Sequence, residues 1–225
     1  MGIDPRALAA MIDHTLLAPE ATSSDITRLC AEAVELGVGT VCVSPSHVAF
    51  AHGLLPATIQ VASVVGFPSG AHRSEVKALE AGLALENGAI EIDMVVNLAH
   101  VLSGNWRGVE DDVAEVRAAV HRPAVLKVII ESGALTDDQI VQTCKSAVAA
   151  GADFVKTSTG FHKTGGATTH AVALMRSTVG PSIGVKASGG IRTLADALQM
   201  IEAGANRIGA SASRAILDAA QTEQN

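Results

Sequence analysis

The sequence predicts a closed parallel (β/α)8 barrel of the TIM type, and three observations predict it. Runs rich in Val and Ile alternate eight times with stretches rich in Ala, Leu and Glu along 225 residues. Gly followed by Ala or Val recurs at Gly37-Val38, Gly88-Ala89, Gly151-Ala152 and Gly204-Ala205, each a helix stop feeding straight into a strand. No Pro/Ser-rich linker or low-complexity run interrupts the series, so residues 1–225 read as a single domain. Eight strand–helix units in about this length fit closure. An open doubly wound sheet is the alternative. It is disfavoured because no GxGxxG follows the first strand.

The elements follow in order. Residues 4–11 form a short helix covering the barrel floor. Strands are predicted at 12–17, 38–44, 60–67, 90–97, 125–131, 154–158, 183–187 and 207–210. A helix over 22–36 has Thr22, Ser23 or Ser24 as its N-cap and Gly37 as its stop. Others run over 73–86, stopping at Asn87-Gly88, over 136–150, opened by Thr136 and closed at Gly151, and over 193–203, closed at Gly204. Four Phe, one Trp and no Tyr leave the core to Ala, Val, Ile and Leu, which suits packed parallel strands and their covering helices.

Composition excludes several functions. The net charge is -7 and no run of Lys or Arg occurs, which argues against a nucleic-acid partner. An anionic small molecule stays open, because a few backbone N–H groups can hold a phosphate in an acidic protein. Cys30, Cys42 and Cys144 lack metal-ligand spacing and point to a reduced, cytoplasmic protein. The start lacks a signal-peptide layout, and Met1-Gly2 is followed by Arg6 where myristoylation wants Ser or Thr. No apolar stretch reaches membrane-span length. Eight histidines show no HxH or HExxH spacing, and only His14 and His47 fall at expected barrel-mouth positions. A metal-dependent aldolase or hydrolase is therefore disfavoured, and no metal or cofactor is expected.

In such barrels chemistry sits at the C-terminal ends of the strands. Six lysines exist. Lys77 and Lys145 fall on predicted helices and read as solvated surface, and Lys163 falls in a loop. Lys127, Lys156 and Lys186 instead interrupt apolar strands five, six and seven, where their side chains can meet inside the barrel. An ordinary lysine is almost wholly ammonium at neutral pH, with a pKa of about 10.4. Burial and a neighbouring cation both favour the neutral amine that an imine-forming nucleophile must be. Carboxylates also interrupt strands. Alternation puts Glu91 and Asp93 on one face of strand four, with Ile92 and Met94 on the other. Asp93 can accept and return a proton, or serve as a buried counter-ion to Lys156 or Lys186, and the two roles are compatible. Asp13 reads as the end of strand one, orienting a lysine or a substrate hydroxyl. Cys42 reads as a small core residue lining the pocket.

These stretches resemble those of the deoxyribose-phosphate aldolase family. Lys156-Thr157-Ser158-Thr159-Gly160 resembles the family's Schiff-base strand, and Lys186-Ala187-Ser188-Gly189-Gly190-Ile191-Arg192 its second-lysine strand and phosphate loop. Glu91-Ile92-Asp93-Met94-Val95 resembles the strand bearing the acid–base aspartate. Asp13-His14-Thr15, Leu126-Lys127-Val128-Ile129 and Gly209-Ala210-Ser211 also match.

The resemblance implies a class I aldolase, with Lys156 forming the imine and Lys186 and Asp93 managing charge and protons. It further implies that 2-deoxyribose 5-phosphate is cleaved to acetaldehyde and glyceraldehyde 3-phosphate, in deoxyribonucleotide catabolism. Asp13, Cys42, Lys127 and Thr157 would line the substrate site, and Gly189, Gly190 and Ser211 would hold the phosphate. The sequence departs from some members in having no tail tyrosine. It also has Phe161 where they carry a phosphate-binding lysine, so the backbone of Gly165 and Gly166 is expected to substitute, with Lys163 nearby. A homodimer is compatible with the reading, and neither nucleic acid nor membrane is expected as a partner. The rivals are another Schiff-base sugar-phosphate aldolase or transaldolase, and a non-catalytic phosphate-binding barrel, which leaves the buried lysines unexplained.

Overall fold

The computed structural model describes residues 3–223; the Met1-Gly2 start and the tail end at Gln224-Asn225 lie outside the described residues. Eight parallel strands close in sequence order into one barrel. They are β1 (Ile12–Leu16), β2 (Thr40–Val43), β3 (Gln60–Val65), β4 (Glu91–Val95), β5 (Val125–Ile129), β6 (Phe154–Lys156), β7 (Gly184–Ser188) and β8 (Arg207–Ala210). The helices are α1 (Pro5–Ala10), α2 (Ser23–Leu36), α3 (Val48–Leu54), α4 (Ser74–Glu86), α5 (Leu98–Leu102), α6 (Trp106–Ala119), α7 (Asp137–Ala149), α8 (Thr169–Val179), α9 (Leu194–Glu202) and α10 (Ser213–Thr222). None is long and apolar enough to cross a membrane.

The helix signals act as local chemistry requires. Thr22, Thr136 and Thr193 each cap a helix through a reciprocal box with Asp25, Gln139 and Asp196 respectively. Gly37 ends α2 in the left-handed region, at φ 65°. Gly88, Gly151 and Gly204 each stand one residue past the cap, also with positive φ.

Outward strand residues such as Val41, Ile92, Leu126, Val128, Val185 and Ile208 pack with the helices into the main apolar core. Inside the barrel, Leu17, Cys42, Ala62 and Val64, with Phe67 against them, form a separate small apolar cluster beside β1–β3. Much of the remaining interior is charged.

Strand β6 is three residues long, against the five predicted, because the chain beyond Lys156 is held by side chains. The Thr157 hydroxyl donates to the Ser188 carbonyl (3.1 Å) and accepts from the Ser188 N–H (3.0 Å), and the Ser188 hydroxyl donates to the Ser158 carbonyl (2.6 Å).

Two expectations are corrected here. Asp13 does not end its strand; it is the second residue of β1, deep in the barrel. Lys77 is not a solvated lysine. It is fully buried between α4 and β4, donating to Asp112 Oδ2 (2.7 Å) and to the Val95 carbonyl (2.9 Å), while Ser74 donates to Asp112 Oδ1 (2.8 Å). Its stem lies over Gly66, which has no side chain to block it. Periodicity misleads on α4 because Lys77, Ala81 and Ala84 face inward while Val76, Leu79 and Leu83 face out.

Burial lowers the pKa of Lys77 and Asp112 opposes the shift, so the ammonium depends on its partner. Asp112→Ala should therefore destabilise the protein by about 3–5 kcal/mol, the cost of an uncompensated buried charge. Urea unfolding of this variant beside Lys77→Met, which removes the charge as well as the pair, checks it. The methionine variant should be the more stable of the two.

Candidate active site

The strand register builds the site. Asp93 lies level with Lys127, Ile129 with Lys156, Lys156 with Lys186, and Lys186 with Arg207. Alternation turns all of these inward, and all but the apolar Ile129 join a common polar network. Gly209 on β8 leaves room for Lys186, because a Cβ there would come within 3.0 Å of the Lys186 stem.

Asp93 is the hub. Its Oδ2 accepts from Lys156 (2.8 Å) and Lys186 (2.7 Å), and its Oδ1 from Lys127 (2.6 Å). Lys186 also donates to Asp13 Oδ2. Lys127 pairs with Glu91 (2.6 Å). Arg207 donates to Asp13 Oδ1 (2.7 Å) and to Thr40 Oγ1 (2.9 Å), reaches both Glu91 oxygens (3.2 and 3.3 Å), and stacks over the Phe154 ring at 5.7 Å.

Four cations thus share the interior with three carboxylates. Burying an unpaired charge is expensive, and the group neutralises instead. If Lys156 is the neutral member, the remaining three cations cancel Asp13, Glu91 and Asp93. The individual groups agree. Burial pushes the Lys156 pKa down and nearby Lys186 adds to the effect; Asp93 opposes it without reversing it. Burial would also lower Lys186 and Lys127, but their carboxylate partners overrule it and hold both above the usual lysine value. Burial alone would raise Asp13 and Asp93. Instead the surrounding cations bring Asp13 to about 2 and hold Asp93 well below the carboxylate range.

Above the network lies a cavity of about 500 Å³, and of the four cations only Lys156 lines it. Its walls include Thr159, Gly160 and Phe161 after β6, Gly189, Gly190 and Arg192 after β7, and Ser211 after β8. Gly189 and Gly190 have φ of 87° and 82°, a region glycine enters without strain, and they turn the backbone along the cavity toward the Thr193-capped start of α9.

The structure joins Lys156, Lys186, Asp93, Asp13 and Lys127 in one network and puts Gly189, Gly190 and Ser211 on the cavity wall. The other predicted residues sit elsewhere. Thr157 does not face the cavity; its hydroxyl ties β6 to β7. Gly165 and Gly166 are absent from the walls, because Gly166 packs against the backbone of Gly189 and Gly165 is exposed. Lys163 is exposed as well. Cys42 is fully buried in the apolar cluster, its thiol pushed up mainly by burial. His14 faces away from the mouth, its Nδ1 against Ser213 Oγ at 2.8 Å. Among the described residues no three His, Cys, Asp or Glu side chains converge in a metal-ligating arrangement.

Sequence reasoning missed Arg207 as a network member, and it placed Glu91 on the face of Asp93 and Arg192 in the phosphate-loop segment without giving either a role. Arg207 and Glu91 have a signal in the same alternation that puts Asp93 and Gly209 inside.

A lysine at a strand end whose pKa is pushed down, open to a cavity and backed by a second lysine and a carboxylate, can condense as the free amine with a carbonyl and then move protons beside the imine. That equipment, in a (β/α)8 barrel, defines an aldolase of the imine-forming class. A family model described as DeoC/LacD family aldolase matches residues 7–219, and the chain belongs to that family. It is 57% identical over 211 residues to the deoxyribose-phosphate aldolase of Kocuria rhizophila, covering 94% of this chain and 95% of the relative. It is 58% identical over 221 residues to that of Mycolicibacterium paratuberculosis, covering 94% and 96%. The tetrameric deoxyribose phosphate aldolase of Aeropyrum pernix superposes with a TM-score of 0.87 at 37% identity, over 98% of this chain and 93% of the other.

The charge balance makes a kinetic statement. Lys186→Leu removes the like charge beside Lys156 and leaves Asp93 short of a cation, so the Lys156 pKa rises. The neutral fraction at a given pH then falls. Imine formation at neutral pH should drop by on the order of 10²-fold, and its rise with pH should move to more alkaline values. Borohydride trapping rates measured across pH check both, and a rise that stays in place rejects the role of Lys186.

Proposed function

We propose that the chain reversibly cleaves 2-deoxy-D-ribose 5-phosphate to acetaldehyde and D-glyceraldehyde 3-phosphate, as a class I aldolase. The observation that carries this reading is Lys156 at the cavity floor, held to Asp93 at 2.8 Å and level with Lys186 on the next strand. The neutral Lys156 amine adds to the C1 aldehyde of the open-chain sugar, and loss of water gives the iminium. A base takes the C3 hydroxyl proton, the C2–C3 bond breaks, and its electrons form the enamine as glyceraldehyde 3-phosphate leaves. Protonation at C2 and hydrolysis release acetaldehyde and the amine. Lys186 and Asp93 hold and return the protons beside the imine, and Asp13 and Lys127 fix Asp93 and Lys186 in place. The chemistry calls on no metal or cofactor.

The phosphate end fits the opposite wall. Gly189 and Gly190 offer backbone close to the anion, Arg192 offers charge, and Ser211 stands after β8 just ahead of α10, in a barrel region suited to phosphate. The three buried free thiols fit a reducing cytoplasm, where the enzyme would act in deoxyribonucleotide catabolism. A self-assembled state, at least a homodimer, accompanies this reading, and the Aeropyrum pernix relative is a tetramer.

Borohydride with acetaldehyde should inactivate the protein irreversibly and leave one ethyl group on Lys156, located by peptide mass mapping. An adduct confined to Lys145 or Lys163 rejects the assignment. Activity on fructose and sedoheptulose phosphates exceeding that on 2-deoxyribose 5-phosphate would point to a different sugar-phosphate aldolase.

Ser211→Asp tests the phosphate wall by placing a carboxylate where the anion should sit. Cleavage of 2-deoxyribose 5-phosphate should fall mainly through KM, and cleavage of unphosphorylated 2-deoxyribose should change little. Equal losses on both substrates in a folded variant place the phosphate elsewhere.

A further inference from the structure

Glu131 follows β5 and is the only described non-glycine residue with positive φ (φ 56°, ψ 54°). The left-handed region is costly for a residue with a Cβ, and glycine is the usual occupant. A side chain kept there implies a use for it. Glu131 is 1% exposed, and its carboxylate is met by a hydroxyl and a backbone N–H in place of a cation. Its carboxylate is satisfied by one residue on the neighbouring loop. The Thr159 hydroxyl donates to Oε2 at 2.6 Å, and the Thr159 N–H reaches both oxygens at 3.3 Å. The same hydroxyl accepts from the Phe161 N–H at 3.1 Å.

The left-handed turn has a second effect. It sends the chain into a short 3-10 turn, Ser132–Ala134, where Gly133 packs against Thr164 of the same neighbouring loop. On either side of Glu131, the Ile130 N–H bonds to the Lys156 carbonyl (2.9 Å) and the Ser132 N–H to the Thr157 carbonyl (2.8 Å). Glu131 is therefore fixed relative to the last residue of β6, which is Lys156, and it reaches past Lys156 to grip Thr159. Thr159, Gly160 and Phe161 are consecutive wall residues of the cavity. At its far end Phe161 meets Phe67 edge-on, with ring centroids 5.1 Å apart.

We propose that Glu131 is a positioning residue for the reaction, holding the Thr159-Gly160-Phe161 wall at a set distance from Lys156. The proposal rests on the aldolase reading above. The wall contacts the sugar phosphate away from the imine, so losing the grip weakens binding of the whole substrate and leaves the amine untouched.

The test compares Glu131→Gln, which keeps the volume but places an amide donor against the two Thr159 donors, with Glu131→Gly, which removes the carboxylate and suits the backbone. Both should raise KM for 2-deoxyribose 5-phosphate by roughly tenfold or more, the scale of a lost hydrogen bond to a charged group. Borohydride trapping of acetaldehyde, which needs only Lys156, should keep its wild-type rate. Thr159→Val should show the same pattern, and Glu131→Gln/Thr159→Val should lose no more than the worse single variant, because the two residues act through one contact. Wild-type KM in both Glu131 variants overturns the proposal. Parallel loss of trapping and cleavage overturns it as well, since Glu131 would then support Lys156 or the fold at large. A wild-type protein that traps no acetaldehyde overturns the aldolase reading, and the wild-type control alone tells that result from the other two.

Discussion

Everything in the interior follows from one constraint: charges enclosed by a seamless ring of strands must nearly cancel. Closure removes any sheet edge through which water could reach them. Asp13, Glu91 and Asp93 can neutralise three cations, and four are present. The lysine whose pKa is pushed down is the one with the fewest carboxylate contacts and the one that lines the cavity, Lys156. The same pairs that favour the charged forms of Lys127, Lys186 and Arg207 thus leave the Lys156 ammonium the least favoured of the four. Nucleophilicity here is a property of seven side chains, and Asp93, which touches three of the cations, is where their effects meet.

Recognition of an anion in a chain with net charge -7 follows a different rule. Net charge acts over long distances and is screened by salt, whereas a few aligned N–H groups and one guanidinium act at contact. In the phosphate site proposed above these groups are gathered at the ends of β7 and β8, near the starts of α9 and α10. The opposite quarter of the interior, Leu17, Cys42, Ala62 and Val64, is apolar.

The barrel was legible because its signals are local: period-two apolar runs, threonine caps and glycine stops each act within a few residues. Lys127, Lys156, Lys186 and Asp93 were legible because a charge in the middle of an apolar strand has no inexpensive explanation. Arg207 and Glu91 were harder, since each is the first residue of its strand, where a charge ordinarily reads as solvent-facing. Only closure of the ring makes those ends interior. Lys77 escaped because α4 turns its aliphatic residues outward, reversing the usual meaning of helical periodicity. Gly165 and Gly166 lie off the cavity wall, and the sequence did not show it because loop glycines reveal freedom of conformation and nothing of direction. Glu131 gave no local sign, for its φ is invisible in a sequence.

The burial of Lys77 also changes how the protein can be handled. With Lys127, Lys156 and Lys186 inside the barrel and Lys77 under α4, only Lys145 and Lys163 offer side-chain amines at the surface. Amine-directed coupling to a resin, too bulky to reach Lys156 at the cavity floor, therefore has two lysine addresses. Lys145 lies on α7, in the outer helical layer. Lys163 lies two residues beyond Phe161, on the loop that borders the cavity. Attachment through the first leaves the mouth open, and attachment through the second sets the support beside it, so an immobilised preparation divides into accessible and obstructed molecules according to which of two amines reacted.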